Sequence, residues 1–434
     1  MRRALPIVAV LLLGTPLAAQ RPDSVRLGSV LRAALAVDPR QRQLAIAAEQ
    51  SALRLRNIDA ERLPALAAAG QAQYQSDVPH LALALPNVHV PLPPHDTYDA
   101  HAEAQLAIVD PTRAPRRGAE RAQLAETQAQ VRVTLFGVRQ DVLDAFFAAA
   151  TLDARRATLA ASAAELAARV KDAAERVRGG TALPSDSASL AAALLQRRQD
   201  ILQAEADRRA ARARLAELTD GAPNGAVSDD APLALPDLGA AVARARAALD
   251  SVRARPEYAE LAATRERLAA QAELQRARER PQLQAFARAG YGRPGLNPLA
   301  TAFDTYWLGG VQVRWTPFTW GSVEREREAI ALQREAVDAN EAALTRQLRR
   351  ATEGDLATID RLTGTLALDD QVVALRADVE RETRVRLGEG VVTAAEYATR
   401  EAELLAARLA RDEHRVTLAQ AQARFLTTLG EEIP

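Results

Sequence analysis

Cysteine is absent from the 434 residues. The chain therefore has no disulfide, and no cysteine is at hand to carry the lipid that would tether a mature N-terminus to a membrane. Aromatic residues are few, at 4% against 48% hydrophobic overall, so the apolar content is mostly alanine and leucine. That composition suits closely packed helices better than a bulky globular core, and the dominant residues (Ala, Leu, Arg, Glu, Gln) are helix formers. Neither sign of charge is in excess, since Lys+Arg and Asp+Glu both number 56. A basic surface for nucleic acid is thereby excluded. No nucleophile-elbow, P-loop, dinucleotide or HExxH pattern occurs, so the chain carries no enzyme signature and implies no cofactor. Beyond the N-terminus no run is apolar and long enough to form a transmembrane helix.

The N-terminus reads as a secretory signal over residues 1–19. Arg2 and Arg3 supply the charged region, Ala4 to Leu13 the apolar one, and Pro16-Leu17-Ala18-Ala19 the small residues for cleavage near Gln20. The apolar run is too short for a spanning anchor.

Proline is also missing from Ala119 to Arg178, where Gly137 is the one glycine. Apolar residues recur there at Val131, Leu135, Val138, Val142, Ala145, Ala149 and Leu152. This 4-3-4-3 spacing is the seam of a coiled coil. A second stripe runs beside it through Phe136, Leu143, Phe147, Ala150, Ala154, Ala157 and Ala161. Two adjacent seams ask for a neighbour on each side, as in a cylinder or a sheet of helices. At about 1.5 Å per residue the rod would be roughly 90 Å long, where ordinary helices average three or four turns.

Ahead of this rod, Val30 to Arg62 is helical in pattern, interrupted at Asp38-Pro39 and ended by Pro64. Leu66 to Tyr74 reads as a strand. Ser76 to Asp96 holds five prolines and reads as a loop. Tyr98 to Ile108 alternates, with Tyr98, Ala100, Ala102, Ala104, Leu106 and Ile108 on one face and Asp99, His101, Glu103 and Gln105 on the other, a strand with one apolar and one wet side. The long helix is expected after Pro111 and Pro115. It ends at Arg178-Gly179-Gly180, and Ser185 and Asp186 can cap a second helix to about Leu218. Gly221 to Pro236 reads as a linker.

The second half repeats the first. Pro39, Pro64 and Tyr74 recur as Pro256, Pro281 and Tyr291, at one constant offset of 217 residues. At the helix tip Arg176, Gly180 and Asp186 recur as Arg386, Gly390 and Glu396. The strands recur as 281–291, where Leu283, Ala285, Ala287, Ala289 and Tyr291 alternate with Gln282, Gln284 and Arg288, and as 306–315, where Trp307, Val311, Val313 and Trp315 alternate with Gln312 and Arg314. Helix then runs from about Ser322 to Leu387, weakened by Gly354 and Gly364, and from Thr393 to Leu429. Two repeats follow, 20–230 and 231–434, each of helix, strand, loop, strand, very long helix, turn and helix.

Four strands cannot bury a sheet alone, and open edges cannot sit in lipid. Several of these runs approach the nine to eleven or so residues that a transmembrane strand needs. Tyr98, Tyr291, Tyr306, Trp307 and Trp315 lie at strand ends, where an aromatic girdle would sit. Closing the sheet requires several copies of the chain. Four of the five histidines (His80, His89, His95 and His101) gather in the first loop and the next strand, but their spacing is too long and irregular for a metal site.

In the second tip, Arg386-Leu387-Gly388-Glu389-Gly390-Val391-Val392-Thr393-Ala394-Ala395-Glu396-Tyr397 resembles the R-Y-x-x-G-x-x-T-x-x-D/E-hydrophobic signature of the TolC family of outer-membrane efflux channels. Gly180-Thr181-Ala182-Leu183-Pro184-Ser185-Asp186 resembles its counterpart in the first tip, and the resemblance covers essentially the whole mature chain. It implies a mainly α fold with a small β part: a homotrimer with four strands from each subunit in one 12-stranded transmembrane barrel, and long antiparallel coiled-coil helices in a periplasmic α-barrel. It implies an exit duct for an inner-membrane pump and a periplasmic adaptor, embedded in outer-membrane lipid, without enzymatic activity or cofactor. The tip residues Arg176, Arg178, Gly180, Asp186, Arg384, Arg386, Gly390 and Glu396 would form gate and docking surface, with Asp186 and Glu396 pairing with the tip arginines or forming a ring attractive to cations. Asp99, Glu103, Gln284, Arg288, Gln312 and Arg314 would line the barrel. The sequence departs from the family's best-known pattern at Leu387, Val392 and Thr399, which stand where a tyrosine, an arginine and a second aspartate are expected, so the closing lock is weaker or built differently. The competing reading is a soluble periplasmic coiled-coil adaptor or structural protein.

Overall fold

The computed structural model describes residues 24–79, 92–220, 231–247 and 254–433. It opens with β1 (Val25–Arg26), α1 (Leu27–Val37) and α2 (Gln41–Ala60), then β2 (Ala65–Tyr74) and β3 (Asp96–Val109). The first helical hairpin follows, α3 (Arg113–Arg178) and α4 (Pro184–Leu218). Then come β4 (Leu233–Ala234), α5 (Gly239–Ala247), α6 (Pro256–Ala277), β5 (Gln282–Arg293) and β6 (Asp304–Arg314). The second hairpin, α7 (Ser322–Gly388) and α8 (Ala394–Leu429), closes the order. The two long helices have 66 and 67 residues, and their shorter partners 35 and 36.

α3 begins at Arg113, so Pro115 lies inside the first turn and not ahead of the helix. First-turn N–H groups have no partner within the helix, so proline removes no bond there. The first half of α3 lies against α2 and α6, tied by Arg117–Asp59 at 2.7 Å and Arg267–Glu126 at 2.6 Å. The second half lies against α4 and α8, tied by Arg208–Asp153 and Thr158–Asp412, both at 2.6 Å. The expected seam from Val131 to Ala149 is buried. In the second stripe Leu143, Phe147 and Ala150 are buried, Phe136 and Ala154 half-buried, and Ala157 and Ala161 exposed. Beyond Ala150 α3 buries Leu159, Ser162 and Leu166 instead, because α4 and α8 replace α2 and α6 as its neighbours.

The main apolar core sits midway along the helices. Val142, Phe146 and Phe147 of α3 meet Val30 and Ala34 of α1, Leu215 of α4, Ile359 and Leu362 of α7 and Phe425 of α8. Phe146 and Phe147 cross edge to face at 5.4 Å, a favoured aromatic geometry. β1 and β4 pair in parallel beside this core. Sequence reading placed β4 in a linker, since a two-residue strand leaves no periodic trace. Gly354 and Gly364 do not interrupt α7; a Cβ at either would meet nothing.

The sheet has the order β2-β3-β5-β6, antiparallel throughout. β2 and β6 each keep one unpaired edge. Register fixes the faces. Glu103 pairs with Arg288 and with Ala67, Gln284 with Gln312, and Gln282 with Arg314. Directly paired residues share a face, so Asp99, Glu103, Gln284, Arg288, Gln312 and Arg314 all lie on one side. The opposite side carries Leu66, Tyr74, Tyr98, Ala104, Ala287, Trp307, Val311 and Val313. This apolar face is bare: Leu66 and Trp307 are both 80% exposed. Tyr306 does not join the aromatic girdle. It neighbours Trp307 and therefore points to the polar side, where its hydroxyl donates to Asp99.

Candidate functional site

Two surfaces stand out, the polar face of the sheet and the tips of the hairpins. On the sheet, Arg288 donates to Glu103 at 3.0 Å and Gln105 donates to the same carboxylate at 2.6 Å. Asp99 binds His101 on its own strand and Tyr306 two strands away. Gly290 makes the second contact possible: a Cβ there would lie 2.7 Å from the Tyr306 ring and 2.8 Å from His101 Cβ. Asp99, Glu103 and Arg288 thus form one network with His101 and Tyr306, while Gln284, Gln312 and Arg314 occupy the end of the same face nearer the helices. The Tyr306–Asp99 contact escaped sequence reading; its only trace is the glycine lying opposite the tyrosine. His95 turns to the Gln75 carbonyl at 2.9 Å, apart from His101, and His80 and His89 lie outside the described residues.

The tips are built alike. α3 ends on Gly180 (φ 72°) and α7 runs into Gly390 (φ 74°), the left-handed conformation that glycine adopts without strain. In each, the next residue donates back into the helix: Thr181 N–H to Arg176 O and Val391 N–H to Arg386 O, both at 2.9 Å. Pro184 occupies the first turn of α4, and the Thr393 hydroxyl caps α8 by accepting from Glu396 N–H at 3.2 Å.

A cleft of about 810 Å³ separates the two tips. Two bonds cross beside it. Arg176 Nη1 donates to the Leu387 carbonyl at 2.9 Å, and Asp186 Oδ1 accepts from the Ala394 N–H at 3.2 Å. Asp186 therefore satisfies a free N–H at the start of α8 rather than of its own helix. Among the described residues neither Asp186 nor Glu396 pairs with a tip arginine inside the chain. Glu396 is exposed, Arg178 lies 3.9 Å from Glu175, Arg386 holds Glu382, and Arg384 lines the cleft. Ala173, Leu190, Leu387 and Ala394 line the cleft and belong to an apolar cluster that Tyr397 and Val170 complete. Tyr397 bonds Glu380, and burial, together with that carboxylate, pushes its hydroxyl well above the usual tyrosine range. It stays protonated as a donor across physiological pH.

Sequence reading also missed a buried polar knot at the level of the second α3 seam. Ser162 donates to Glu401 at 2.5 Å, and Arg197 reaches Ser162 at 3.0 Å and Glu401 at 3.4 Å. One residue from each of α3, α4 and α8 meets there, so the two hairpins are pinned together.

No family model matches the chain, and no curated protein matches its sequence. Solved structures do match. A structure of CusC, described in terms of folding and transmembrane channel formation, is 14% identical with a TM-score of 0.67, covering 94% of this chain and 92% of that one. The outer membrane protein VceC from Vibrio cholerae is 17% identical with a TM-score of 0.66, covering 94% and 97%. The MtrE outer membrane channel from Neisseria gonorrhoeae, in its open state, is 17% identical with a TM-score of 0.64, covering 94% and 89%. The chain therefore has the fold of these outer-membrane channels over 94% of its length. That fold agrees with the resemblance to the TolC family drawn from the tip motifs.

Proposed function

We propose that three copies of this chain form an outer-membrane channel, the passive exit duct of a tripartite efflux or type I secretion system. Each copy would give four strands to a 12-stranded barrel and its long helices to a periplasmic tunnel. The repeats at 20–230 and 231–434, supported by the matched helix lengths, would give the trimer its pseudo-sixfold wall. The observation that carries the reading is the sheet, with a bare apolar face, aromatic residues at both of its ends and two unpaired edges. Such a sheet cannot rest in water or in lipid as one copy, whereas a closed barrel satisfies every edge.

The helices support the same closure. α7 exposes Leu368, Val372, Leu375 and Val379 in a 4-3-4 spacing, and α4 exposes Leu195 and Leu202, seven residues apart. These are free coiled-coil seams. Counted from the tips, they lie at matching heights, so α4 of one copy can receive α7 of the next, a head-to-tail contact that closes into a ring. A soluble periplasmic adaptor or spacer would leave both seams and the sheet face bare.

Asp99, Glu103, Gln284, Arg288, Gln312 and Arg314 would then face the lumen. The tips with Arg176, Arg178, Gly180, Asp186, Arg384, Arg386, Gly390 and Glu396 would form the entrance and the docking surface for a periplasmic adaptor and an inner-membrane pump. The pump supplies the energy, and the channel catalyses no reaction. Planar-bilayer recording tests this reading. The purified protein should conduct in a small closed-state step, and Arg176→Ala with Asp186→Ala should raise the conductance several-fold by releasing the two cross-tip bonds. A protein that never conducts would contradict the channel, and an unchanged double variant would contradict the gate.

A further inference from the structure

Resting on the membrane reading of the sheet, we infer that the junction between α2, β3 and α3 is a binding site for the phosphate of an anionic phospholipid in the periplasmic leaflet. Arg113, Arg117 and Arg121 stand at i, i+4 and i+8 on one face of α3, a spacing that stacks side chains along a helix. Ala114 and Gly118 lie between them and leave an open cleft of about 490 Å³; a Cβ at Gly118 would meet nothing. Arg62, just past α2, lines the same cleft, and Asp110 is its one acidic lining residue.

The charges around the cleft do not balance. Arg117 takes Asp59, while Arg116 takes both Glu61 and Asp110. No ion pair reaches Arg62, Arg113 or Arg121 among the described residues; Arg113 donates only to the carbonyls of Glu61 at 3.2 Å and Ala107 at 3.5 Å. The first turn of α3 holds no acidic residue, and the one carboxylate at its start, Asp110, is already held by the Thr112 N–H and hydroxyl and by Arg116. Helix starts and planar guanidinium groups are the usual partners of phosphate oxygens.

The position selects a lipid over a free anion. Arg62 directly precedes Leu63, which is 69% exposed, and Leu66 opens the bare face of β2 three residues on. At the same end of the sheet, past β6, Phe318 and Trp320 are 80% and 91% exposed. Aromatic residues beside arginines mark the headgroup level of a bilayer. A ligand there meets cations at one end and an apolar wall at the other, which is the pattern of an anionic lipid and not of inorganic phosphate.

Native mass spectrometry of the detergent-released protein tests the inference, with dioleoylphosphatidylglycerol and dioleoylphosphatidylcholine titrated in parallel. The expected result is an affinity about tenfold higher for the anionic lipid, lost in Arg62→Gln with Arg121→Gln. Neither of those arginines holds a carboxylate, so the local ion pairs survive the change. Raising salt should erode the preference in the unaltered protein, which tests the same point without any substitution. Equal binding of the two lipids, an unaffected double variant, or displacement by millimolar inorganic phosphate would overturn the inference while leaving the channel intact. Failure to bind either lipid, with no insertion into vesicles, would overturn both.

Discussion

Ala287→Arg is expected to abolish accumulation of the protein in the outer membrane. Ala287 lies at the centre of β5, between Ala104 and Gly309, and its side chain is exposed in the single chain. A long side chain meets no obstacle there, so in a water-soluble protein the change would cost almost nothing. Facing lipid, an arginine at the bilayer midplane costs about 2–4 kcal/mol in each copy. Summed over three copies, that is enough to stop insertion of a protein with ordinary marginal stability. Gln284→Arg, on the opposite face of the same strand, should insert normally, because it would point into water. Fractionation of cells expressing the two variants reads the contrast, and equal recovery of both from the membrane would contradict the lipid-facing assignment.

Glu401→Ala is expected to cost about 3 kcal/mol of stability, lost from the paired hairpins and not from the barrel. Glu401 is 4% exposed and Ser162 1%, and together they hold the guanidinium of Arg197. Removing the carboxylate leaves a largely buried cation whose one remaining carboxylate partner is the more exposed Asp200, at 3.1 Å. Replacing both partners, Arg197→Met with Glu401→Leu, should restore much of the loss, since no charge then stays behind in the interior. Hydrogen exchange over residues 155–170 and 395–405 locates the effect. Equal protection in the single and double variants would mean that the knot contributes packing alone.

These two sites differ in how far the sequence announces them. Ala287 stands in a run where apolar and polar residues alternate strictly, and period two is visible without any knowledge of neighbours. The same holds for the helices, whose seams repeat over many turns, and for Gly180 and Gly390, which end their helices because the backbone turns left-handed there. Glu401 and Ser162 are 239 residues apart in the chain. Nothing local marks a serine and a glutamate on two polar helices as partners; only the packing of the hairpins joins them. The cross-tip bonds are hidden for a further reason. Arg176 and Asp186 bind a carbonyl and an amide of the other tip, and backbone partners leave no side-chain signal at Leu387 or Ala394. Tyr306 shows the limit of position alone, since a girdle of aromatics is defined by face as well as by depth.

Cross-linking between the two free edges of the sheet tests the barrel most directly. The chain has no cysteine, so one introduced in β2 and one in β6 report on each other alone. Within a single chain these edges are separated by two intervening strands, about 14 Å at the usual strand spacing, too far for a disulfide. A scan of such pairs under oxidation should give a ladder that stops at three chains, because the edge of each copy meets the opposite edge of the next. A disulfide formed inside one monomer, or no register that cross-links at all, would show that sister copies do not close the sheet.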